Sequence, residues 1–167
     1  ASHLYGIDPI WRGREAELKD EQITPIGEFF ENVSLEEMGI KLDVVLSSHT
    51  LEHVAAPRSL IENLLDRATD ESWFFFQFPG LESLVRNARF DQLHHQHYNY
   101  FSLKSVVYML EDVGAELINF RLNPYHWGAL MVAFRKNKKK RKGLHEKFNK
   151  YISQITNEQI LTQYNLF

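Results

Sequence analysis

Three of the chain's eight histidines, His94, His95 and His97, fall within one short run, FDQLHHQHYNYFS. Neutral imidazole is the natural proton acceptor at physiological pH. A cluster of this kind therefore suits removal of a proton from an acceptor group, with His97 as the base and His94 beside it. Two other readings compete. The three histidines could bind zinc together with Glu52 or Asp91, but ligands at such spacing need a rigid strand or helix, and the chain has no cysteine to add. They could also be a purely structural cluster. No metal is expected here. If the segment is extended, His95 points away from its two neighbours and serves as an internal control.

A second group of polar residues lies in KLDVVLSSHTLEHVAAP, where Ser48, His49, Glu52 and His53 follow a run of apolar residues. A third candidate is Asp8, the acid that closes LYGID. In doubly wound sheets ligands bind beyond the carboxyl ends of strands. A carboxylate there can accept two hydrogen bonds from ribose hydroxyls; it can equally be a plain turn residue.

The elements that must position these groups are legible from pattern. Leu4 to Asp8 reads as a short strand broken by Pro9, and Ile23 to Phe30 as a second strand entering a turn. Residues 10–22 read as a short helix or loop. Ser34 and Glu37 have capping-box spacing for a short helix over Leu35 and Met38, stopped by Gly39. Leu42 to Ser48 is continuously apolar and β-branched, as in a parallel strand covered on both faces. Ser59 to Arg67 carries a helical stripe at 60, 61, 64 and 65. Trp73 to Pro79 reads as another buried strand. Ser102 can cap a helix that runs through Met109 and Leu110 to Gly114. Ala115 to Leu122 and Ala129 to Arg135 form an antiparallel pair around a loop with Asn123 and Pro124. Strands alternating with helices mean an α/β domain with a mostly parallel sheet.

These motifs carry a resemblance. Asp43, Val44, Val45, Ser48, His49, Leu51, Glu52, His53, Val54 and Pro57 resemble the fourth-strand motif of class I S-adenosylmethionine-dependent methyltransferases. The segment Phe90 to Leu117 is similar to the substrate side of sugar C-methyltransferases, matching at His95, His97, Tyr100, Phe101, Ser102, Leu110 and Gly114. It departs from that pattern at His94, where those enzymes carry Tyr, and at Gln96, where they carry Glu. The resemblance implies a Rossmann-like α/β fold ending in an antiparallel hairpin, with S-adenosylmethionine as cofactor. It implies Asp8 on the ribose, Glu28 and Phe29 bordering the adenine, Ser48 and His49 along the methionine side, and His97 as the base, which His94 would assist on the chemistry of the cluster. The acceptor is expected to be small and polar, a sugar or nucleotide sugar. The family's first strand and its glycine-rich turn have no counterpart here, so the chain reads as a fragment, itself inactive. That strand would lie between residues 4–8 and 42–48, so the sheet is expected either to pair those two or to stay defective. A different class of function is a non-catalytic remnant serving as a binding or assembly domain.

Composition bounds the rest. Of 167 residues, 44% are hydrophobic, 13% aromatic and 25% charged, enough for one globular domain with a core. The absence of cysteine excludes disulfide scaffolds, thiolate metal sites and cysteine nucleophiles. Residues 1–134 hold 10 Lys and Arg against 20 Asp and Glu, a net of −10; residues 135–167 hold 9 against 2, a net of +7. The acidic body argues against nucleic-acid binding. No apolar run is long enough to span a bilayer, ASHLYGIDP has no signal-peptide pattern, and a cytoplasmic location is the expectation. The organisation expected is a partial methyltransferase domain over 1–135, a basic linker over 136–143 and an amphipathic helix over 144–167. The basic run is a solvated linker or a contact for substrate phosphates. Trp11, Tyr125 and Trp127 read as exposed aromatics suited to a partner or substrate surface, with a homodimer as one arrangement.

Overall fold

The computed structural model describes residues 3–18, 20, 22–123, 128–137 and 148. The expected helix over 144–167, most of the basic linker, and Tyr125 and Trp127 lie outside these residues. The chain divides into two compact units, residues 1–40 and 41–167.

In the first unit β1 (Leu4–Ile7) and β2 (Ile23–Ile26) pair in parallel, from Leu4 opposite Ile23 to Ile7 opposite Ile26. Pro25 lacks an amide donor, which a strand bonded along one side tolerates. Single turns of 3-10 helix at Pro9–Trp11 and Glu15–Glu17 connect the strands. The capping residue at Ser34 works as expected, with the Glu37 amide donating to its Oγ at 3.2 Å. The element it starts is only a turn: the Ile40 amide already closes back on the Leu35 carbonyl at 3.0 Å. Gly39, at φ 64°, takes the left-handed conformation that ends it.

The second unit is built on four strands in the order β3-β4-β6-β5, with β3 at Leu42–Ser48, β4 at Ala68–Phe78, β5 at Ala115–Asn123 and β6 at Ala129–Lys136. β3 runs parallel to β4; β6 is antiparallel to both β4 and β5. The expected closing hairpin is therefore present, and its second strand inserts between β4 and β5. The ladders among the described residues do not include the expected pairing of residues 4–8 with 42–48, and β3 is an edge strand.

Among the described residues this unit also has the helices α1 (Pro57–Arg67), α2 (Leu81–Arg86) and α3 (Leu103–Asp112). Leu60, Ile61, Leu64 and Leu65 of α1 and Leu103, Val106, Val107 and Leu110 of α3 are buried. Pro57 opens α1, where its missing amide donor is no loss. Ser102 caps α3 through a reciprocal pair with Ser105, each side-chain oxygen accepting from the other's amide at 3.0 Å. Gly114, at φ 79°, ends that helix.

The core is aromatic on one face of the sheet. Phe74, Phe76 and Phe78 alternate inward, and Phe74 stacks on Phe134 with centroids 4.9 Å apart. The other face corrects an expectation. Val44 and Leu46 are 57% and 77% exposed, and Phe75 is exposed as well, so this face of β3 and β4 is open among the described residues of the unit. The continuous apolar run was right for strand and wrong for two-sided burial. The first basic residues, half-buried, are tied to the sheet: Arg135 pairs with Glu116 at 3.0 Å and lies over the Trp73 ring, and Lys136 Nζ donates to the Ala68 carbonyl at 2.9 Å.

Candidate functional site

In the second unit, the loop leaving β3 turns on His49. Its φ of 52° is unusual for a residue with a side chain, and such strain clusters at functional sites. The strained turn is held by the His49 amide donating to the Gln77 carbonyl at 2.8 Å. Leu51–His53 then forms one 3-10 turn, which drives Glu52 inward to 1% exposure. Glu52 Oε1 lies 3.2 Å from His49 Nδ1, while Oε2 is buried with no hydrogen-bond partner. Burial pushes the Glu52 carboxyl above the usual carboxylate range, against the pull of its own backbone and of His49 and His53. On its far side His49 Nε2 meets the Gln77 amide nitrogen at 3.1 Å, and Gln77 Oε1 accepts from Asn123 at 3.2 Å. Gln77 thus turns its NH2 toward His49, so His49 accepts at Nε2 and donates from Nδ1 to Glu52.

The histidine-rich loop is stitched onto this turn. The Glu52 carbonyl accepts the amides of Tyr98 at 2.9 Å and Asn99 at 3.2 Å. Asn99 Nδ2 donates to the Val54 carbonyl at 2.6 Å, and His53 Nδ1 donates to the Gln96 carbonyl at 2.9 Å. The segment is a turn and not an extended run, closed by the His97 amide on the His94 carbonyl at 3.0 Å. It is this turn that brings the His94 and His97 rings to 3.9 Å. The condition for His95 to point away from its neighbours, an extended run, is therefore not met: His95 is exposed in the turn, and its ring lies 6.4 Å from that of His94. His97 Nδ1 donates to the Gln92 carbonyl at 3.0 Å, and its ring lies 4.9 Å from that of His53. Partial burial, then the neighbouring histidines, hold the His97 imidazole below its ordinary pKa.

A cleft of about 260 Å³ opens beside these groups, with His49, Gly80, Arg89, Gln92 and Gly128 among its lining residues. Arg89 there grips Asp91 with two bonds, at 2.6 and 2.5 Å, which holds the Asp91 carboxyl well below the usual range.

Ser48 is the last residue of β3 and is exposed. The other expected cofactor groups lie in the first unit. Asp8 follows β1, its amide donating to the Ile26 carbonyl at 3.1 Å. Its Oδ1 accepts from the Ile10 amide at 2.9 Å, so the plain turn role is real and the carboxylate is exposed. Glu28 and Phe29 come just after β2, which ends at Ile26. Glu28 Oε1 accepts from Arg12 at 2.5 Å, from the Phe29 amide at 2.8 Å and from Asn32 at 3.2 Å, and these bonds lower its pKa, the Phe29 amide most. Phe29 is 56% exposed, with the Arg12 guanidinium 5.9 Å from its ring centre. Asp8 and Glu28 thus extend from the carboxyl ends of two paired parallel strands. His49, His94 and His97 converge on one cluster in the second unit. Gln77 and Arg89 were not foreseen; the one polar residue inside WFFFQF was the available signal for Gln77.

The order β3-β4-β6-β5, with an antiparallel hairpin closing an otherwise parallel α/β arrangement, defines a Rossmann-like methyltransferase fold. A family model described as "methyltransferase domain" matches residues 2–119, and the chain belongs to that family. It is similar to the C-methyltransferase NovU of Streptomyces niveus, 25% identical over 89 residues, a stretch that covers 53% of this chain and 21% of that protein. The chain therefore matches about a fifth of this curated relative's length. Among solved structures, a proposed S-adenosylmethionine-dependent methyltransferase from Listeria monocytogenes superposes with a TM-score of 0.62 at 12% identity, over 81% of each chain. The magnesium protoporphyrin IX methyltransferase ChlM of Synechocystis PCC 6803, solved with bound SAH, gives 0.53 at 14% identity, over 80% of this chain and 64% of that one. No helix among the described residues is long and apolar enough to cross a membrane.

Proposed function

We propose that this chain carries the catalytic part of an S-adenosylmethionine-dependent methyltransferase that acts on a small polar acceptor, a sugar or nucleotide sugar. One observation carries the proposal: on a methyltransferase-family sheet, the His94 and His97 rings lie 3.9 Å apart, and His97 is bonded to Gln92, which lines an open cleft together with His49. The likeness to a C-methyltransferase supports the same reaction class.

The sulfonium donor, when bound, supplies an activated methyl group. What remains for the protein is alignment and proton removal. As the acceptor atom forms its bond to the methyl carbon, the sulfur–carbon bond breaks and the acceptor's proton passes to the His97–His94 pair. Asp8 holds the ribose hydroxyls with its exposed carboxylate. Phe29 offers a flat apolar surface and Glu28 an acceptor to the adenine. Ser48 and His49 line the methionine side, with His49 fixed in one tautomer by Gln77 and Glu52. The test is titration calorimetry with S-adenosylhomocysteine on the chain and on a form extended upstream to carry the family's first strand and glycine-rich turn, with transfer of labelled methyl to a panel of nucleotide sugars. Binding by the extended form that weakens in its Asp8→Ala variant, with label on a sugar, is the expected result. An extended form that shows no heat and no transfer would leave a non-catalytic binding or assembly domain.

A further inference from the structure

We propose that Glu52, His53 and His97 form a binding site for a divalent transition-metal ion, zinc being the best match. Each offers one ligand atom, and the three atoms all lie within 4.8 Å of one another. Two features mark this as a built site. First, both histidines have the same tautomer for the same reason: His53 Nδ1 donates to the Gln96 carbonyl and His97 Nδ1 to the Gln92 carbonyl. Each Nε2 is left as a lone-pair donor on a ring held by the backbone, the arrangement in which metal-ligating imidazoles are oriented. Second, Glu52 Oε2 is a carboxylate oxygen with no partner on a residue 99% removed from solvent, since 1% remains exposed. An unpaired buried carboxylate oxygen is costly, and a bound cation satisfies it directly.

The set is not the one the sequence suggested. Asp91 is taken by Arg89, His95 is exposed, and His94 lies against the His97 ring, tilted to it, without joining the three. The scaffold that the spacing of the histidine run lacked comes from the loop after β3, stitched to the histidine loop by the Tyr98 and Asn99 amides.

Two imidazoles and one carboxylate are the donors of a catalytic zinc site, with positions left for substrate. Bond lengths near 2.1 Å require the three donor atoms, which lie within 4.8 Å of one another, to close inward when the ion binds. The ligand that such an ion takes is an acceptor oxygen, best a pair of adjacent hydroxyl or carbonyl oxygens. This role in acceptor binding rests on the methyl-transfer proposal; the ion site itself does not. With the ion in place the histidine pair divides its work. His97 holds the metal, the coordinated hydroxyl becomes more acidic, and His94 receives the proton.

The test needs neither cofactor nor acceptor. The chelator-treated chain is titrated with Co2+, followed by its visible absorption, and with Zn2+ in competition. One equivalent is expected. Changing residues that merely orient ligands typically weakens metal binding by 10–100-fold, so His53→Ala, His97→Ala and Glu52→Gln should each lose at least that much. His95→Ala should bind as the parent does. His53 is exposed, so its variant keeps the answer available if Glu52→Gln fails to fold, which circular dichroism reports. Wild-type protein that takes up no Co2+, or His53→Ala that binds it undiminished, overturns the site. His94→Ala separates the two proposals: it should bind Co2+ normally while losing methyl transfer. Failure of methyl transfer in the wild type with Co2+ still bound would remove the reaction and leave the ion.

Discussion

Two glutamates of the second unit make a natural contrast, Glu52 buried and Glu82 half-buried. Glu52 and Glu82 each have one oxygen without a hydrogen-bond partner, and burial raises the pKa of both. Their other oxygens differ in company. Glu82 Oε1 accepts from the Leu103 amide at 2.7 Å, at the start of α3, with the Arg86 charge nearby. Glu52 Oε1 meets His49, and His53 and His97 complete its surroundings. The first is a helix start satisfied by a side chain, a structural task. The second puts a buried charge among groups that accept protons or metals. A perturbed carboxyl by itself therefore does not mark a site; the partners ranged around it do.

The sharpest way to break this contrast is turnover. In an active methyl-transfer assay His97→Ala should lower the rate by ~10²–10⁴, the usual loss on removing a general base or its equivalent. Glu52→Gln should fall in the same range. Glu82→Gln should stay within a few-fold of the parent, since it touches only a helix start. Equal losses at Glu52 and Glu82 would mean that both carboxyls act through folding alone.

Stability gives the next largest difference. Asn99 Nδ2 joins the two loops around Glu52 through the Val54 carbonyl. Asn99→Ala should cost about 1–3 kcal/mol by stranding that carbonyl and should depress Co2+ binding with it, read by denaturant unfolding and by titration. On the Glu82 side, Ser102→Ala removes the α3 cap and should cost about 1 kcal/mol with no change in Co2+ affinity. If Asn99→Ala destabilises but leaves ion binding intact, the stitching does not hold the site together.

How much of this was visible in the chain varies with the range of the interactions. The strand at Leu42–Ser48 and the capped helix at Ser102 were legible because their signals are local. The histidine pair was legible as chemistry but not as geometry. It forms through a turn closed by one backbone bond, which no side-chain pattern announces. The Glu52, His53 and His97 set was not legible, because His53 meets the histidine loop at a partner 43 residues away. Exposure of Val44 and Leu46 was missed for a related reason: an apolar run shows that a strand can be covered, and not what covers it. Ser34 shows the limit of a motif, since its cap formed without a helix to follow.

The smallest effect is the pH dependence of the Glu82 contribution, and its sign is fixed. Burial raises the folded-state pKa of its carboxyl above the ordinary glutamate value, which the unfolded chain keeps. Well below that value the carboxyl is neutral in both states and burial carries no charge penalty. As pH rises through the folded pKa the unfolded state binds fewer protons than the folded state, so stability declines. The decline is complete once both forms are ionised. Glu82→Gln keeps an oxygen for the Leu103 amide and cannot ionise. Its stability relative to the parent should therefore improve between ~pH 4 and ~pH 7, a gain that the Leu103 amide and Arg86 reduce by offsetting part of the burial. Comparing the two pH values removes the constant cost of burying the new amide nitrogen. Urea unfolding of both proteins at each pH measures it, and a relative stability that is flat or that falls with pH would mean that Glu82 ionises without penalty in the folded chain.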